Sequence, residues 1–193
     1  MIKKTLTLLS FLCICVVIQA KNYLVHSPDG KIKVTVTADK QLRWSIDYNG
    51  ECILNPSVMQ MNIEGQPQQP GVNPSVIKAK TIKVNSEQTA IVPTKQRVIN
   101  DLYNQLTLTC QGGYSVVFRV YNNGAAYRFE TTLKDSQIHV NSETVEQNWM
   151  DGCKAYWPRE KNQEYITHCE AIFDELNLSS LTKEMKGYLP IYL

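Results

Sequence analysis

The residues with reactive side chains are few. Three histidines, His26, His139 and His168, are the available general bases. A serine or cysteine nucleophile needs such a base within reach. His26 falls at a strand end before Ser27-Pro28, and His139 falls in a short strand. Neither belongs to a nucleophile motif: G-x-S-x-G, H-E-x-x-H and the glycine-rich phosphate loop are all missing. Each histidine is expected to be structural or to face solvent. Glu143 with Glu146, or Glu170 with Asp174 and Glu175, offer the paired carboxylates that glycoside hydrolysis requires on opposite sides of a sugar bond. Nothing in their setting singles them out, and a solvated face accounts for them.

The aromatic residues have more to offer. Trp149, Tyr156, Trp157 and Tyr165 interleave with Arg159, Glu160, Asn162 and Gln163. Aromatic faces beside amide and guanidinium donors suit a sugar ring, with its apolar face and its rim of hydroxyls. The same residues also fill the core and edges of a β-sandwich, which is the simpler reading. Cys52, Cys110, Cys153 and Cys169 follow residue 20, without a CxxC or a His/Cys cluster, so a zinc site is not expected. These four cysteines permit three pairings; one disulfide and buried free thiols both stay open.

The frame that must position these groups begins with an address. Lys3 and Lys4 precede an apolar run from Thr5 to Ile18, and Gln19-Ala20 ends on a small residue. This is the pattern of a secretory signal peptide, residues 1–20, and the run is shorter than the ~20 residues of a membrane span. Bulky Phe11-Leu12 before Cys13 argues against a lipid anchor there. Export places the remaining domain, 21–193, in a secreted or periplasmic setting. Lys3 and Lys4 leave with the signal, so 20 basic residues fall to 18, matching the 18 acidic ones. A neutral chain gives no reason to expect a nucleic-acid or polyanion partner. With 193 residues and 43% apolar content there is enough for one real core. A (β/α)8 barrel of ~250 residues does not fit.

Period-2 alternation dominates from residue 22. Lys31 to Thr37 puts Ile32, Val34 and Val36 on one face, and Leu42 to Tyr48 does the same for Leu42, Trp44 and Ile46. Asn49-Gly50 predicts a tight hairpin into a strand beginning at Glu51. Val58 to Ile63 alternates imperfectly. Pro67, Pro70 and Pro74 make residues 65–74 a loop. Val76 to Val84 and Thr89 to Val92 read as a hairpin around Asn85-Ser86. Leu102 to Cys110, Tyr114 to Tyr121 and Ala125 to Thr131 read as a three-strand meander with glycine turns. Shorter strands are expected at Gln137 to Val140 and Ala155 to Trp157. Lys186 to Leu193 reads as the beginning of another strand, so the fold is expected to be incomplete at Leu193. Short, regularly spaced strands without interleaved helices predict an all-β antiparallel sandwich, with a closed barrel as the alternative.

Several of these stretches resemble the N-terminal domain of glycoside hydrolase family 97, in the family's order. They are Ser27-Pro28-Asp29-Gly30, then Tyr48-Asn49-Gly50 with Asn55-Pro56-Ser57, then Tyr103-Asn104-Gln105-Leu106. The most specific is Phe118-Arg119-Val120-Tyr121-Asn122-Asn123-Gly124 leading into Ala125-Ala126-Tyr127-Arg128-Phe129, followed by Trp157-Pro158 and Asn162-Gln163-Glu164-Tyr165. The resemblance implies a large galactose-mutarotase-like super-sandwich packed on a catalytic (β/α)8 barrel of the same parent protein. It implies an α-glucosidase or α-galactosidase acting on α-linked glucan or galactoside oligosaccharides, with the catalytic carboxylates in the barrel and none in this chain. It also implies that Glu164 reaches a calcium ion near the active site, whose other glutamate ligands come from the barrel. A hard cation taking 6–8 oxygens suits a carboxylate there. Gln105 replaces the family's usual glutamate and Asn122-Asn123 its aspartate pair, which weakens any charged role at those points. The family's domain is expected to run several strands past Leu193.

Overall fold

The computed structural model describes residues 20–134, 137–160 and 170–193. The signal-peptide expectation, together with Glu164, Tyr165, His168 and Cys169, therefore lies outside the described residues, apart from Ala20. The described strands are β1 (Lys21–His26), β2 (Ile32–Ala38), β3 (Leu42–Tyr48), β4 (Glu51–Ile63), β5 (Val76–Thr89), β6 (Val98–Cys110), β7 (Tyr114–Tyr121), β8 (Gly124–Thr131), β9 (Val140–Val145), β10 (Asn148–Trp149), β11 (Lys154–Pro158) and β12 (Phe173–Asn177). The described residues contain no α-helix, only a 3-10 turn at Leu178–Ser180.

One sheet runs β1-β2-β3-β4-β10, with β9 also on β4; a second runs β5-β6-β7-β8; β11 and β12 form a small third sheet. All pairs are antiparallel. The core lies between the first two sheets. Val34, Val36, Leu42, Trp44 and Leu54 face it from one side, and Leu106, Leu108, Val116, Phe118 and Val120 from the other. Strict alternation in β2 and β3 buries every second residue, as a half-buried strand requires. Trp44 meets Tyr127 edge-on at 5.2 Å and Phe118 at 6.3 Å, tying the sheets together through aromatic contacts. This is an all-β sandwich, not a closed barrel.

The Asn49-Gly50 turn forms as expected, with φ of 51° and 88°. Two positive φ values give the hairpin a twist that matches its strands. Leu42–Tyr48 and Tyr114–Tyr121 appear with the expected bounds. Four expectations need correction. No hairpin forms at Asn85-Ser86: β5 continues to Thr89 and pairs with β6 along its length. Asn-Ser lacks the glycine that a tight turn favours, and an exposed strand tolerates polar residues, so the chain turns later, in 90–97. The strand foreseen at 137–140 lies instead at Val140–Val145, fully exposed and held by its pairing with β4. Residues 51–54 and 58–63 belong to one strand. The irregularity between them is a register shift opposite Trp44 and Ile46, with Pro56 inside it. A bulge leaves residues unpaired, so the missing proline N–H costs little there. Finally, the 186–193 stretch makes only isolated bridges, Gly187 with Arg159 and Tyr192 with Tyr156, rather than a strand.

Candidate functional site

The bulge in β4 organises one end of the sandwich. Ser57 is buried there, and its hydroxyl oxygen accepts from the Asn148 backbone N–H at 2.9 Å while its O–H donates to the Asn55 carbonyl at 2.8 Å. Glu146 Oε2 accepts from the Val58 N–H at 3.0 Å, and the Asn148 side-chain amide donates to the Pro56 carbonyl. Glu146, one of the sequence candidates for acid–base work, is thus a strut that fastens β10 to β4. Ser57→Ala would leave the Asn148 N–H without that acceptor. Loss of a buried partner costs about 1–3 kcal/mol. An unfolding free energy from urea titration lowered by that amount is the expected result; an unchanged value would show that the hydroxyl does not fasten the two strands.

This anchoring sets Trp149 beside Leu54 in the register of β10 with β4. Trp149 then closes one side of a cavity of about 650 Å³ at the open end between the two sheets. Trp44, Ile46 and Leu54 line its apolar wall, and Tyr48, Asn122, Asn123 and Gln147 line its polar side. The Asn122 side chain also ties the β7–β8 turn to the β1–β2 turn by accepting from the Asp29 N–H at 3.0 Å.

The aromatic cluster expected over 149–165 divides in space. Trp157 stands on β11, donates its indole N–H to the Tyr188 carbonyl at 3.1 Å, and lies close against Gly187. A Cβ at Gly187 would meet Trp157 Cε2 at 2.4 Å. Tyr156 pairs with Tyr192 through both backbone bonds, at 2.8 and 3.0 Å. Trp157 is therefore held as a structural residue, as the simpler reading anticipated. Glu160, almost wholly buried, accepts from the Tyr188 hydroxyl at 3.3 Å. Asp174 Oδ2 faces Arg159 Nε at 3.3 Å, and Glu175 pairs with Lys154. Hydrogen bonds from Lys154 and Tyr156 hold the Glu175 carboxyl below its ordinary range. Glu170 and Glu143 are exposed.

His139 Nδ1 meets exposed Glu64 at 3.0 Å, and the His26 carbonyl accepts from Asn104. No three His, Cys, Asp or Glu side chains gather into a metal-binding group among the described residues. Arg119 donates to Gln105 at 3.0 Å and lies over the Tyr103 ring at 4.6 Å. Gln105, the departure from the family pattern, thus has a structural partner. No sequence signal pointed to the cavity, since its lining comes from β2 to β4, the β7–β8 turn and β10.

Cys52, Cys110 and Cys153 are free thiols. Cys52 is exposed and Cys110 buried. Burial pushes the Cys110 thiol above its ordinary 9.0 and the Tyr114 phenol well above 10.0. Both groups keep their protons longer in the folded chain than in the unfolded one. Their contribution to stability is therefore full below pH 9 and is lost as pH rises past the unfolded values of 9.0 and 10.0. Alkylation at pH 8 read by mass spectrometry should label Cys52 fast and Cys110 only after unfolding in urea. Equal labelling of the two in the native chain would contradict this burial.

Comparison with known proteins fits the same architecture. Residues 25–193 match the family model described as Glycosyl-hydrolase 97 N-terminal. The chain belongs to this family of N-terminal domains. A retaining alpha-galactosidase of Bacteroides thetaiotaomicron is 28% identical over 199 residues, covering 98% of this chain and 29% of that protein. The chain thus spans under a third of the curated relative it matches. A family 97 enzyme from Pseudoalteromonas sp. strain K8, solved with panose, superposes with a TM-score of 0.64 at 21% identity, over 82% of this chain and 25% of that one. A beta-arabinopyranosidase superposes with a TM-score of 0.67 at 20% identity, over 80% and 26%. At these identities the likeness carries the fold.

Proposed function

We propose that this chain serves as the N-terminal domain of an exported, calcium-assisted α-glycosidase of the α-glucosidase or α-galactosidase type. In that role it packs on a (β/α)8 barrel and helps to complete the barrel's active site, and Glu164 supplies one oxygen ligand to the calcium ion. The observation that carries the reading is the family match over 25–193 beside relatives of which this chain spans only about a quarter. Glu164 alone could not hold the ion, so this reading needs further ligands from the barrel. Calcium takes 6–8 oxygens, and the described residues gather no carboxylate group of their own. Glu164 falls in sequence between β11 and β12, two strands braced by the 186–193 segment through Trp157, Pro158 and Glu160. A bound cation would stabilise charge developing on a sugar oxygen.

The test fuses this domain to the barrel of the Bacteroides relative in place of that enzyme's own N-terminal part. Hydrolysis of aryl α-galactoside should require calcium, and Glu164→Gln should raise the calcium concentration for half-activity about ten-fold or more, as loss of a charged ligand does. An active fusion whose calcium demand ignores Glu164→Gln would refute the assignment.

A further inference from the structure

The cavity at the open end of the sandwich is about 650 Å³, within the size range of small-molecule sites. Its composition selects the kind of occupant. Tyr48 and Trp149 present aromatic surface over a floor formed by buried Trp44, Asn122, Asn123 and Gln147 present amides, and no charged side chain among the described residues lines it. The Trp149 indole N–H is buried and has no hydrogen-bond partner among the described residues. A hydrocarbon ligand would leave the amides without partners, and a charged one would find no counter-charge among the described lining residues.

We propose that this cavity binds the end of a neutral oligosaccharide. The apolar face of a sugar ring lies against Tyr48 and the Trp149 ring, and its hydroxyls meet Asn123 and Gln147. The residues that argue for the site are all among the described ones, and the proposal stands independently of the calcium reading. It gives this chain a glycan-binding activity of its own.

The test is calorimetric titration of the purified chain, in excess EDTA, with maltotriose and with raffinose. Failure here leaves the calcium proposal untouched, since calcium is absent. Saturable binding with a dissociation constant on the order of millimolar is expected for one of the two sugars. Asn123→Ala, at an exposed turn position, should weaken it about five-fold, the effect of one hydrogen bond. Tyr48→Ala removes exposed aromatic surface from the cavity and should weaken it by a similar factor. The absence of saturable binding of either sugar would overturn the proposal. So would affinity unchanged in both variants, or occupancy by an anilinonaphthalene dye that neither sugar displaces.

Discussion

Phe118→Ala should cost about 4 kcal/mol, a large share of the stability of a domain. Phe118 is fully buried on β7 and faces Trp44 across the core. It also lies 6.1 Å from the Tyr127 ring on β8. Removing it takes away the transfer free energy of a large apolar side chain and leaves a cavity that β-sheet backbones cannot close. Phe→Ala changes at such sites cost ~3–5 kcal/mol. A domain's whole stability is only ~5–15 kcal/mol. Phe118→Leu fills most of the space and should cost about a third as much. Urea unfolding followed by tryptophan fluorescence reads both. Equal midpoints for wild type and Phe118→Ala would mean that the two sheets do not depend on this contact.

Gly71→Ala should cost about 3 kcal/mol, for two reasons that act together. Gly71 has φ of 84°, a left-handed conformation that a Cβ disfavours. The added Cβ would also meet the Met59 carbonyl oxygen at 2.2 Å, and backbone cannot swing aside as a side-chain tip can. This loop position is pinned from three sides. Its carbonyl accepts from the Leu42 N–H at 2.8 Å, its own N–H donates to the Tyr114 hydroxyl at 3.3 Å, and the preceding Pro70 carbonyl accepts from the Met61 N–H at 3.0 Å. Displacing it therefore disturbs β3, β4 and β7 at once. Asn73→Gly, at a neighbouring left-handed residue with φ of 43°, serves as the control and should be nearly neutral. A midpoint for Gly71→Ala within error of wild type would show that the loop can shift freely.

The sandwich was legible where burial imposes a period. Ile32, Val34 and Val36, and then Leu42, Trp44 and Ile46, could face a core only as strands, and Asn49-Gly50 could only close a tight hairpin. Where strands are held by pairing alone, the pattern carried no information. β9, V-N-S-E-T-V, is exposed at every position and owes its existence to the backbone of β4. β5 gave a turn signal at Asn85-Ser86 that its long ladder with β6 outweighs. The cavity was hidden for a different reason. Trp44, Asn123 and Trp149 lie far apart in the chain, and a strand of two residues, fixed by Ser57 and Glu146, brings the last of them into place. The motif order from Ser27 to Tyr165 pointed to the family, because it samples turns and strand ends that the fold must keep in sequence.

The chain belongs to a family of glycosidase N-terminal domains, and the proposed role puts the catalytic carboxylates in the barrel. Hydrolysis of aryl α-glucoside and aryl α-galactoside by the purified chain, with calcium and with EDTA, tests it most directly. The account predicts no release of the aryl group above the buffer blank in any of these conditions. Saturable turnover that follows the chain through purification and disappears when it is unfolded would contradict it.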